Sequence, residues 1–107
     1  MAAIDLSSVN AYPHTHRATL SGTPNTMQEV QIGSRCTQVQ VLFETNSGKV
    51  LTQGGTDAAV IVGEHYITIP ADSLYFHDLP KSMGDHSLWV ASGTASTVVS
   101  IQVGERD

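Results

Sequence analysis

Apolar and polar residues alternate with a period of two along much of this chain. Thr37, Val39, Val41 and Phe43 alternate with Gln38, Gln40, Leu42 and Glu44, which places one set on each face of a strand. Val99, Ile101 and Val103 alternate with Ser100 and Gln102, and Val30 and Ile32 alternate with Glu29 and Gln31. Residues 65–69 are rich in β-branched and aromatic side chains, as strands are. No window of about eleven or more residues carries the 3.6-residue period of an amphipathic helix. Strands are expected near residues 16–21, 27–33, 36–45, 49–53, 58–62, 65–69, 74–77, 86–91 and 96–103. Some of these merge, giving about seven or eight.

Turn chemistry separates the runs. Asn46-Ser47-Gly48 reads as a short hairpin, with glycine free to take positive φ. Residues 53–57 and 78–85 read as loops, and Pro70 ends the strand before it. Many short strands at regular spacing predict an all-β fold: an antiparallel β-sandwich, or a small β-barrel. The first residues differ. Ile4, Leu6 and Val9 are apolar, but Ser7, Ser8, Asn10 and Pro13 interrupt any regular element. Residues 1–15 therefore read as an extended N-terminal arm and residues 16–107 as the β-sandwich domain. An arm has no core of its own to fill, so Ile4, Leu6, Tyr12 and Pro13 are candidate contacts with another subunit. Trp89 joins them if Leu88 and Val90 point inward and leave it outward, because large aromatics anchor interfaces. If Trp89 points inward it is core.

Composition narrows the function. The 107 residues suit one domain. Charged residues make up 14% of the chain, well below the roughly 25% of an ordinary soluble domain, and such an exterior suits a surface that rests against another protein. Net charge is −5, and the five cations, Arg17, Arg35, Lys49, Lys81 and Arg106, are scattered. Phosphate recognition needs clustered cations, so direct nucleic-acid binding and attraction to an anionic membrane are both disfavoured. Cys36 is the single cysteine, which excludes an intrachain disulfide and a cysteine-based zinc site. The amino terminus lacks the basic-then-apolar pattern of a secretory signal.

Catalytic chemistry finds little footing. There is no GxSxG, HExxH or phosphate-binding loop. Cys36 opens a strand with no helix amino terminus behind it, so it reads as a small buried hydrophobe. His14 and His16 share one side of an extended segment and are the most metal-like pair. No third ligand lies near them in sequence, and solvated or hydrogen-bonding histidines are the simpler reading. The expectation is a non-enzymatic protein with no catalytic residues, no metal and no cofactor.

Two stretches carry a family likeness: residues 43–71, with Phe-Glu-Thr-Asn-Ser-Gly-Lys-Val-Leu, Gly-Gly-Thr-Asp-Ala-Ala-Val and His-Tyr-Ile-Thr-Ile-Pro-Ala, and residues 87–96, Ser-Leu-Trp-Val-Ala-Ser-Gly-Thr-Ala-Ser, before a Val-rich last strand. Their cadence resembles small β-sandwich structural proteins of tailed bacteriophages, among them capsid cement or decoration proteins. The resemblance implies a virion subunit on the capsid exterior, made in the host cytoplasm and bridging major capsid protein subunits. It also implies a homo-oligomer, with a trimer favoured. It carries over no individual residue. A head–tail junction or tail subunit, and a carbohydrate- or surface-binding module, are the alternatives.

Overall fold

In the computed structural model, which describes residues 3–8, 13–55, 60, 66–79 and 85–104, the chain forms two facing β-sheets, and no helix occurs among the described residues. The strands are β1 (Ile4–Leu6), β2 (His14–Thr19), β3 (Gln28–Ile32), β4 (Gln38–Phe43), β5 (Gly48–Leu51), β6 (Tyr66–Ile69), β7 (Leu74–Asp78), β8 (His86–Ala91) and β9 (Val98–Gly104). One sheet has the order β1-β3-β8-β5-β6 and the other β2-β9-β4-β7. The sheets do not close on each other, so the sandwich expectation stands and the barrel alternative falls away. Every strand pair is antiparallel except β1 with β3.

The alternating residues meet between the sheets. Val39, Val41 and Phe43 of β4 lie in register with Val103, Ile101 and Val99 of β9, and all six are fully buried. Val30, Ile32, Leu88, Val90 and Val50 face them from the other sheet. Burying each such side chain contributes roughly 1.5–3 kcal/mol, and this layer holds the sheets together.

Two features depart from the sequence reading. The arm supplies a strand: Ile4 pairs with Val30 and Leu6 with Ile32, and Leu6 is buried in the same core. Residues 4–6 thus belong to the sandwich, because β3 leaves an open edge that three extended residues can fill. Residues 46–48 do not close a hairpin. They turn a corner, since β4 lies in one sheet and β5 in the other. The Phe43 ring packs across that corner onto Gly48, where an added Cβ would sit 2.0 Å from ring carbon Cε1. The strand expected near 58–62 lies outside the described residues except for Val60.

Candidate interaction surface

Each residue expected to contact a partner now has a place, except Tyr12, which lies outside the described residues. Pro13 is exposed immediately before β2. Ile4 is half-buried and packs on the core that contains Leu6, so Leu6 has little surface left to offer a neighbour. Trp89 does point out of the sandwich, because Leu88 and Val90 point in. It is not free, however. With Tyr66 and Val60 it packs on a second cluster of Met27, Leu51 and Ala91 on the outer face of the five-stranded sheet. Gly54 lies against this cluster: a Cβ there would meet Met27 Sδ at 2.6 Å and Trp89 Cγ at 3.2 Å. The Val60 N–H donates to the Asn25 carbonyl at 2.8 Å. Gly54 and Val60, from the β5–β6 connection, therefore lie against the cluster that holds the indole.

His14 and His16 lie on β2, opposite Val103 and Ile101 of β9, and are half-buried. They face the sandwich interior at its edge. No group of three or more His, Cys, Asp or Glu side chains that could hold a metal occurs among the described residues. Cys36 is buried, its Sγ donates to the Gln38 carbonyl at 3.2 Å, and burial pushes its thiol above the ordinary range. That direction disfavours the thiolate a nucleophile needs.

Two polar arrangements are well defined. On the outside of the four-stranded sheet, Glu44 accepts from Arg17 Nε at 2.8 Å and from Ser100 Oγ at 2.6 Å. These bonds hold its carboxyl below the usual value. At the opposite end of the same sheet, Tyr75 Oη lies 3.0 Å from His77 Nδ1. Burial lowers the His77 imidazole from its ordinary value, Asp78 works against that shift, and His86 adds to it. The Glu44 contacts tie the end of β4 to β2 and β9, whereas the Tyr75–His77 contact lies within β7.

Among the described residues, three large apolar side chains are exposed. Ile67 is 52% exposed, Leu74 48% and Phe76 54%. All three lie on β6 and β7, which end their respective sheets and are joined by a tight turn in which Asp72 takes a φ of 60° and its N–H donates to the Phe43 carbonyl. The two edges therefore lie on the same side of the sandwich. Between Tyr66 and His77 the sequence has one formal charge, Asp72. The opposite side, formed by β1 and β2, carries Asp5 and Arg17, both exposed. Sequence reasoning found strands near 65–69 and 74–77 but not this surface. The run Leu74-Tyr75-Phe76-His77 alternates one large side chain with another, so it does not say which pair faces out.

Comparison of the chain with protein-family models, with curated proteins and with solved structures finds no match.

Proposed function

We propose that this protein is a non-enzymatic structural subunit of a phage virion, a cement or decoration protein that stabilises the capsid by bridging major capsid protein subunits. The observation that supports this reading is the concentration of exposed apolar side chains on one edge of a weakly charged sandwich. Monomeric proteins rarely leave large apolar patches uncovered unless something docks there. The cadence of residues 43–71 and 87–96 supplies the phage context. A cement subunit works by adding interface: each contact is weak, and many copies acting together make the particle resist heat and expansion.

Quantitative mass spectrometry of virions purified from the encoding phage tests the proposal. The expected result is this chain at a copy number comparable to that of the major capsid protein. A count of about a dozen or fewer would move it to a head–tail or tail ring. Its absence from virions would refute the proposal.

A further inference from the structure

We infer that the outer face of the four-stranded sheet is a shallow binding site for a neutral oligosaccharide, with the Phe76 ring as its stacking platform and the Gln40 and Gln102 amides as its hydrogen-bonding floor. The inference stands apart from the virion reading. It assigns Phe76 to a ligand and leaves the exposed Ile67, on β6 of the other sheet, to a capsid contact.

The register builds the site. Val39 and Val41 are buried on either side of Gln40, as Ile101 and Val103 are on either side of Gln102, so the pleat turns both amides outward. Gln40 lies opposite Phe76 of β7 and opposite Gln102 of β9. Gln102 in turn lies opposite Thr15 of β2. Thr15, Gln102, Gln40 and Phe76 therefore form one row across all four strands. Neighbouring strands lie about 4.8 Å apart, so the row spans roughly 14 Å, enough for a short chain of linked sugar rings. Gly104 is the next outward position on β9, opposite Gln38. An added Cβ there would meet nothing within 4 Å, so the sheet is open beside the row.

The chemistry of the row selects the ligand. A protein-binding hot spot sets its aromatic anchor near the centre and near-neutral contacts around it. Here that order is reversed. Amides occupy the central strands β4 and β9, and the aromatic ring, 54% exposed, stands at the margin on β7. A pyranose has matching sides. Its C–H face stacks on an aromatic ring, and its hydroxyls project from the rim as donors and acceptors. A primary amide answers them with a carbonyl acceptor and an NH₂ donor, and two amides side by side answer a run of them. Charge decides against acidic ligands. All four residues of the row are uncharged. Arg17, in the neighbouring row opposite Ser100, is held by Glu44 at 2.8 Å. An acidic sugar or a phosphate therefore finds no counter-charge in the row.

The site is a face and not a cleft, so a bound sugar keeps much of its hydration. Affinity is correspondingly low, with a Kd on the order of 0.1–1 mM for a single chain.

An array of immobilised short oligosaccharides tests the inference. It carries neutral chains of glucose, mannose, galactose, rhamnose and N-acetylglucosamine, with acidic chains beside them, and is probed with the full chain. The best binder is then titrated in solution to about 10 mM by amide ¹H–¹⁵N spectra. At least one neutral glycan should bind, and the signals of Thr15, Gln40, Phe76 and Gln102 should shift together. Phe76→Ala and Gln102→Ala should each weaken binding about fivefold to tenfold, with unchanged circular dichroism and melting curves. Thr68→Ala, at an exposed position on the other sheet, should bind as wild type does. An array on which no neutral glycan binds would overturn the inference. So would binding confined to acidic glycans, or binding that either Phe76→Ala or Gln102→Ala leaves intact. A dimer in sedimentation velocity that Phe76→Ala dissolves, with no glycan bound, would give the face to a second copy and overturn it too.

Discussion

Gly48 is the position at which one added methyl group tests the packing of the whole sandwich. Phe43 ends β4 in one sheet, Gly48 opens β5 in the other, and the Phe43 ring lies on the glycine. A Cβ at position 48 would stand 2.0, 2.2 and 2.3 Å from three ring carbons. Ordinary contact lies near 3.5 Å, so Gly48→Ala requires the ring to retreat by about 1.5 Å. Phe43 is fully buried, and the layer behind it is filled by Val99 and its neighbours. The ring cannot retreat without opening the sheets. Overpacking of this kind costs about 1–3 kcal/mol and sometimes more, and the upper end applies here. Against a total stability of about 5–15 kcal/mol this is a severe loss, near 12 °C in Tm for a chain of this size. Phe43→Leu removes the obstructing ring and alone costs about 1–2 kcal/mol as a cavity. The double variant should therefore recover part of the loss, with a coupling of about 2 kcal/mol between the two sites. Urea denaturation of the four proteins measures all terms of the cycle. Additive effects within about 0.5 kcal/mol, or a harmless Gly48→Ala, would refute the corner packing.

Other consequences follow from the same structure. Leu6→Ala should cost about 2–4 kcal/mol, because it empties a core position on β1; denaturant unfolding checks this, and a loss under about 0.5 kcal/mol would show that residues 4–6 do not belong to the sandwich. Burial lowers the His77 pKa from 6.5, so the unfolded chain binds the proton more readily. The stabilisation it reflects is full above the unfolded value and is lost as pH falls through the folded one. Melting curves between about pH 8 and pH 5 should show this decline, and His77→Gln should flatten it. Cys36 should resist thiol reagents in the native protein and react rapidly in urea, since its sulfur is buried and its pKa raised; rapid native labelling would place it at the surface.

Most of the strand pattern was legible in the sequence, and the reason is local. Where an apolar residue alternates with a polar one, as in Val39-Gln40-Val41 or Ile101-Gln102-Val103, the pleat alone decides what faces inward. The reading failed where a neighbour in space decides. Ile4-Asp5-Leu6 is too short to announce a strand and becomes one only beside Val30 and Ile32. Asn46-Ser47-Gly48 carries the chemistry of any tight turn, and only the Phe43 ring makes it a corner between sheets. For Trp89 the sequence leaves inward and outward both open, and its cover comes from Met27 and Gly54, distant in sequence. The exposed edge was invisible for a similar reason. That β6 and β7 are the last strands of their sheets is a property of topology, and no local pattern encodes it.

The role proposed for this chain is docking on a capsid as a cement subunit. Titrating the purified protein onto phage capsids assembled without it, and following bound copies and the capsid melting temperature, tests that proposed role. Saturation at a fixed ratio to the major capsid protein is expected, with a rise in melting temperature that follows occupancy. Capsids that bind none of it, or that bind it without any gain in thermal resistance, would contradict the claim.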